Sequence, residues 1–369
     1  METKFVSIPS VIERHDKPLT QLTAALEKRI QLFEAGASFL VGDLALTQGQ
    51  VPYRNINSSP SDLDYQLLAK AGLLLASGAK SGELVITTGF PSAVFELFKL
   101  QAEKFFSERD VIIEYNSDTL NGGGRSRVQL TISHLEIMPE ILGCINAIRK
   151  GPLADEGNFF IVSLGYGTCE TALSTAEGPI ARTCVSVPGL RHAVNTLYDE
   201  LSASYYLSMK NEHMINQSFQ RGDMVIGRKR MNLLNARSTH LASYYHEVLS
   251  PAIRKAFTDI DFEKADRLYL VGGGALYPEL ASHFQQEFEG ILDVIVPDGA
   301  ENFASLGYFL RSALWCGPNH VERAVGLDIG NAYTVLSTSE KRAPKENLAQ
   351  AVLESTYLMG EKLSLSGID

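Results

Sequence analysis

The chain has 369 residues, 45% hydrophobic and 21% charged, enough apolar material for two cores of roughly 150 residues or a little more each. A formal net charge of −10 argues against broad binding along a nucleic-acid backbone, which needs clustered Lys and Arg. The one dense basic stretch, Arg228-Lys229-Arg230, reads as a solvated loop or helix end. Cys144, Cys169, Cys184 and Cys316 show no paired spacing, so reduced thiols are expected. His240 and His246 do not fall on one helix face, which leaves a zinc site without support. The N-terminus lacks the apolar centre of a signal peptide, and no apolar run approaches the ~18 residues of a membrane span. A cytoplasmic protein is expected.

In chain order, Phe5 to Ile12 reads as a strand interrupted by Pro9, and Phe39 to Asp43 as a short strand and turn. Gln48 to Pro60 is polar and rich in Pro, Asn and Ser, the pattern of an exposed loop. Asp62 is placed to cap a helix running to about Ala76. Glu83 to Gly89 is a buried-type strand, Ser92 to Phe106 an amphipathic helix, and Val128, Leu130 and Ile132 mark a half-buried strand after the flexible turn Asn121 to Gly124. Pro139 to Ile148 is helical, Phe159 to Ser163 a core strand, and Thr171 to Ser174 its partner. Helices follow over Leu190 to Tyr206 and over Leu241 to Phe257, the second kinked or restarted at Pro251. Arg267 to Val271 and Val294 to Val296 are strands, with a helix after Pro278 and another over Asn302 to Leu314. Two strands, Ala324 to Asp328 and Tyr333 to Ser337, surround a tight turn, and residues 345–363 read as a terminal helix. Strands alternate with helices but some arrive as hairpins, which predicts α/β layers with mixed sheets.

Three glycine-bearing turns carry the chemistry. In Asp328-Ile329-Gly330-Asn331-Ala332-Tyr333-Thr334, Gly330 permits a tight hairpin that brings main-chain N–H groups to a ligand. Asp328, at the strand end, can hold a magnesium ion through water. Ser163-Leu164-Gly165-Tyr166-Gly167-Thr168 repeats that logic, and two facing hairpins can clasp the β- and γ-phosphates of a nucleotide. Gly272-Gly273-Gly274-Ala275 follows a strand and precedes a helix, so the backbone can lie against a base or ribose. Neither a dinucleotide fingerprint nor a Walker motif is present.

Together these turns resemble the actin, heat-shock chaperone and sugar kinase superfamily. Ile8-Pro9-Ser10-Val11, Val41-Gly42-Asp43, Thr88-Gly89-Phe90-Pro91 and His134 to Glu140 look like the plasmid-segregation actins of the ParM/StbA kind. The resemblance implies an α/β, actin-like two-domain fold of duplicated RNase H-like domains. In that family the first phosphate hairpin opens the chain; here it stands at Asp328, which reads as a circular permutation. Residues 1–150 plus 301–369 would form domain I, and 151–300 domain II. Carried over, Asp328, Gly330, Asn331, Ala332 and Tyr333 form the first phosphate turn, and Gly165, Tyr166, Gly167 and Thr168 the second. Gly272, Gly273, Gly274 and Ala275 form the adenosine loop, and Glu140 orients the attacking water. Asn302, Ala304 and Gly307 fit a second connecting helix.

Two positions depart from the pattern. Ser163 stands where an Asp normally begins the second turn, and Val335 where a Lys follows the first. Both changes spare nucleotide binding more than fast hydrolysis. The implied function is a filament-forming ATPase using ATP or GTP and Mg²⁺, assembling with itself and positioning DNA, through an adaptor protein, or another cargo. A small-molecule kinase of the same superfamily and a nucleotide-binding scaffold without turnover are the alternatives.

Overall fold

A computed structural model describes residues 2–17, 19, 25–56, 58–107, 110–117, 124–205, 207 and 212–340. The expected terminal helix over 345–363 and most of the turn Asn121 to Gly124 lie outside the described residues.

Two main sheets organise the chain. The nine-stranded sheet runs, in spatial order, Thr3–Pro9, Tyr333–Ser339, Ala324–Ile329, Gly82–Phe90, Arg125–Pro139, Asp110–Asn116, Gln31–Glu34, Ala37–Val41, Ile12–Arg14. Its central strands are apolar on both faces because helices cover both sides. Leu67, Leu68, Leu73 and Leu74 of the helix Leu63–Ala76 pack with Ile86, Val325, Leu327 and Leu336 on one side. On the other, the helices Glu140–Lys150 and Phe303–Cys316 pack against each other and against both sheets, through Ile141, Cys144, Ile145, Phe303, Leu306 and Tyr308. Gly307 and Gly143 let these two helices touch backbone to backbone: a Cβ on Gly307 would fall on the Gly143 carbonyl.

The second sheet is built around Phe159–Leu164, which pairs antiparallel with Thr168–Thr175 and parallel with Arg267–Val271. Asp293–Ile295 continues the parallel side, and Val185–Pro188 and Gly178–Pro179 the antiparallel side. The nine-stranded sheet has the same wiring at its centre. Ala324–Ile329 pairs antiparallel with Tyr333–Ser339 and parallel with Gly82–Phe90, which is parallel to Arg125–Pro139. Thr3–Pro9 closes the antiparallel side against Tyr333–Ser339, with Thr3 opposite Ser339 and Pro9 opposite Tyr333. The first and last described strands are therefore neighbours.

Several expectations need correction. Arg228-Lys229-Arg230 is solvent-exposed, but only Arg228 lies in a turn: Lys229 and Arg230 begin the second strand of a hairpin, Asp223–Ile226 with Lys229–Asn232, where Arg230 pairs with Asp223. Asp62 sits at the helix start, yet its carboxylate takes hydrogen bonds from the Ser59 N–H and hydroxyl and caps nothing. The Gln48 to Pro60 stretch is pinned: Arg54, the Asn55 N–H and the Ser58 hydroxyl all reach buried Asp64, and Tyr53 bridges to Ile12. The helix restart near Pro251 is a π turn, Tyr245–Leu249, between Leu234–Tyr244 and Ser250–Ala256. Cys144, Cys169, Cys184 and Cys316 are all free. Among the described residues no helix is long and apolar enough to cross a membrane.

Candidate functional site

The second turn is held from behind. The carbonyls of Gly165, Tyr166 and Gly167 accept hydrogen bonds from the N–H groups of Leu190, Arg191 and Gly189, at the start of the helix Arg191–Ser204. Committing the carbonyls to that side leaves the N–H groups of Gly165, Tyr166 and Gly167 without partners among the described residues. Gly189 is needed for this clamp: a Cβ there would stand 2.5 Å from the Gly165 carbonyl oxygen and 2.7 Å from the Thr168 nitrogen.

The first turn is closed by the Gly330 N–H donating to the Tyr333 carbonyl at 3.0 Å. It is braced by Ser10, whose N–H donates to the Ala332 carbonyl and whose hydroxyl meets that of Thr334, both at 2.9 Å. The Asn331 and Ala332 N–H groups are used by no described residue. The two turns face one another, for a Cβ on Gly167 would collide with the Asn331 side-chain amide. Backbone donors on opposing turns form an anion-binding concavity.

The third turn divides its glycines by role. Gly272 has φ +84°, a left-handed conformation, and Gly272 and Gly274 both press on Leu164, leaving no room for a Cβ. A Cβ on Gly273 would meet nothing within 4 Å, so that side of its backbone is open to a flat ligand. Ala275 is buried behind it.

Acidic side chains gather between the turns. Glu140 is the first residue of its helix, and the Ser163 hydroxyl donates to its Oε1 at 3.4 Å. Burial, then the charges of Asp328 and Glu170, push the Glu140 carboxyl well above its usual range. Burial likewise raises Asp328 from its ordinary 3.8 to about 7. The folded chain thus keeps a proton there that the unfolded chain has released between about pH 4 and pH 7. Ligand-free protein must lose stability as the pH rises through that window. Asp328→Asn should flatten this dependence and raise the melting temperature at pH 7.5 by on the order of several degrees. Calorimetry at pH 5 and pH 7.5 checks it; a mutant with the parent's pH dependence would refute the account.

Among the described residues no group of three His, Cys, Asp or Glu is arranged to hold a metal ion directly. Asp328 could hold Mg²⁺ only through its water, as that ion prefers. An open cavity of about 630 Å³ bounded by Phe33, Lys70, Lys104 and Glu114 shares no residue with this cleft.

Residues 1–143 match the model of the actin-like protein N-terminal domain. An archaeal actin homolog in complex with ADP superposes with a TM-score of 0.65 at 15% identity, covering 84% of this chain and 92% of its own. A ParM from Clostridium botulinum, solved as a 15-stranded filament, gives 0.66 at 15%, covering 83% and 92%. The fold is actin-like. Bacillus thuringiensis ParM with ATP gives 0.54 at 16%, covering 84% and 91%. No curated protein sequence matches the chain.

Within this actin-like fold the cleft contains residues that the sequence did not single out. The helix Glu212–Arg221 closes one side: Gln220 accepts the Tyr333 hydroxyl at 3.1 Å, and His213 approaches the Tyr333 ring. Asn216 lies between them on the same helical stripe, 1% exposed, with neither amide atom hydrogen-bonded. His213 Nε2 and the Tyr277 hydroxyl, beyond the triple glycine, are also buried without partners. Buried polar atoms are rarely left unpaired. A concavity with free backbone donors on two facing turns and orphaned amide, imidazole and phenol groups beside them fits a nucleotide with its phosphates between the turns. On strand Thr168–Thr175, Glu170 is 2% exposed and accepts the Ser92 N–H at 2.7 Å.

Proposed function

We propose that the chain is an actin-like ATPase that binds ATP, or GTP, with Mg²⁺ between its two glycine turns and assembles with copies of itself into filaments. The apposition of Gly167 and Asn331, with Glu140 and Asp328 in the same cleft, is the observation that carries this reading. Gly165, Tyr166, Gly167 and Thr168 hold one side of the β- and γ-phosphates, and Asp328, Gly330, Asn331, Ala332 and Tyr333 the other. Gly272, Gly273, Gly274 and Ala275 take the adenosine. Bound through the water of Asp328, Mg²⁺ would neutralise charge on the phosphates. Glu140 orients the water that attacks the terminal phosphorus and takes its proton as the bond to the bridging oxygen breaks.

On this reading residues 1–150 and 301–369 form domain I and 151–300 domain II, and the chain is a circular permutation of the usual actin-like order. The pairing of Thr3–Pro9 with Tyr333–Ser339 supports it, as does the wiring shared by the two sheets. The filament's work is the positioning of DNA, as in plasmid segregation, or of another cytoplasmic cargo. A DNA-binding adaptor protein would make the link, since a chain of net charge −10 is ill suited to hold DNA broadly itself.

Light scattering and electron microscopy of the purified chain with Mg²⁺-ATP or Mg²⁺-GTP should reveal polymers that disappear without nucleotide. Monomers persisting over a wide range of salt and concentration would count against assembly and favour a kinase or a scaffold.

A further inference from the structure

The second glycine turn begins with Ser163, a neutral residue in a position facing Glu140. Directly across the hairpin, in register with Ser163, stands Glu170. Cross-strand partners project to one face with Cβ atoms about 5 Å apart, so the two side chains share the face toward Glu140. Glu170 is 2% exposed. One carboxylate oxygen, Oε1, accepts the Ser92 N–H, which belongs to the loop after Gly82–Phe90 in the other sheet. The other, Oε2, has no hydrogen-bond partner. A buried, half-satisfied carboxylate is costly to keep and calls for an explanation.

The helix Glu140–Lys150 supplies part of one. Its N-cap residue is Pro139, which offers no side-chain hydrogen bond to the first turn. Burial raises the Glu170 carboxyl above its usual range, while the Ser92 N–H and hydroxyl and then the Ile141 N–H act against that rise and favour its charged form. A helix start presents unsatisfied N–H groups and the positive end of the helix dipole, both suited to a carboxylate. Glu170 therefore reaches from the second sheet to the first turn of the helix whose opening residue is Glu140. Its charge also acts directly on Glu140.

We propose that Glu170 is a positioning residue: it supplies from the neighbouring strand the negative charge that Ser163 does not, and it anchors the helix start that presents Glu140 to the attacking water. The inference rests on the proposed nucleotide hydrolysis and names a residue that the function has not yet used. Glu170 acts through Glu140 and presents no donor to phosphate, so its loss should appear in turnover and leave affinity alone.

The test compares wild type, Glu170→Gln, Ser163→Asp and the double variant, reading Mg²⁺-ATP affinity by equilibrium titration and phosphate release by single turnover. Glu170→Gln keeps an oxygen for the Ser92 N–H but removes the charge; release should slow about tenfold or more with the Kd within about threefold. In the double variant Ser163→Asp restores a carboxylate across the hairpin, and release should return to within about threefold of wild type. Ser163→Asp alone adds a further like charge to a cluster already holding Glu140, Glu170 and Asp328, and should give no gain. Wild-type release by Glu170→Gln, no recovery in the double variant, or faster release by Ser163→Asp alone would each overturn the assignment. The last arm remains decisive even if Glu170→Gln fails to fold. A wild-type chain that binds nucleotide but releases no phosphate would overturn the hydrolysis reading itself, and this inference with it.

Discussion

Glu140→Ala is expected to slow phosphate release by about 10²- to 10⁴-fold while nucleotide affinity stays within about threefold. The expected split follows from where the side chain sits. Glu140 opens its helix at the base of the cleft, its Oε1 meeting the Ser163 hydroxyl, and it belongs to neither glycine turn. Removing it takes away the group that orients water and accepts its proton, without removing a backbone donor to phosphate. It also lifts one negative charge from beside Asp328, which in the parent acts on Glu140 across the cleft. Any change in affinity should therefore favour the anionic nucleotide. Equilibrium titration with a slowly hydrolysed analogue, set beside single-turnover release of phosphate from ATP, separates the two quantities. A variant whose affinity fell as far as its turnover would place Glu140 among the phosphate ligands and end its role as the water-orienting base.

The parts of this site that a sequence displays are those where a buried strand stops abruptly at glycine. Phe159-Phe160-Ile161-Val162 runs into Gly165 and Gly167, Leu268 to Val271 into Gly272, and Val325 to Asp328 into Gly330, so both the strand and the reason for its ending are written locally. What escaped notice depends on distant partners. The helix Glu212–Arg221 buries Ile215 and Phe219 but also His213, Asn216 and Ser218; it is amphipathic, yet so polar overall that nothing in it marks these three polar residues as buried. Glu170 occurs inside an exiting strand, where a charged residue ordinarily reads as solvent-facing; its burial depends on distant partners, Ser92 in the loop after Gly82–Phe90 and the helix start at Ile141. The hairpin at Asp223–Asn232 turns on Gly227 and Arg228, both at positive φ, and an arginine in that conformation carries no turn signal. Asp62 shows the opposite failure: a good capping residue in the right place, diverted by Ser59 three positions earlier.

Moving the last described strands to the front of the chain should leave fold and nucleotide affinity essentially unchanged. Thr3 and Ser339 are antiparallel partners, and beyond them the Glu340 N–H donates to the Glu2 carbonyl at 3.0 Å. A two-residue turn can therefore join residue 340 to residue 2 as an ordinary hairpin. New ends can be opened between Pro318 and Asn319, both exposed, where a break disturbs no buried backbone. The rearranged chain, residues 319–340, a two-residue turn and then 2–318, is to be compared with the natural order ending at 340. Matching melting temperatures and nucleotide affinities would bear out the permuted reading. Deleting residues 320–369 instead should abolish both. That deletion removes Val325, Leu327, Val335 and Leu336, each 5% exposed or less. At ~1.5–3 kcal/mol for each buried side chain, the loss rivals the ~5–15 kcal/mol that holds a typical domain together. It also strips Thr3–Pro9 of its partner strand and Gly167 of the turn that faces it. A shortened chain that still bound nucleotide, or a rearranged chain that did not fold, would mean that the strands from Ala324 onward are an appendage and not the missing start of an actin-like domain.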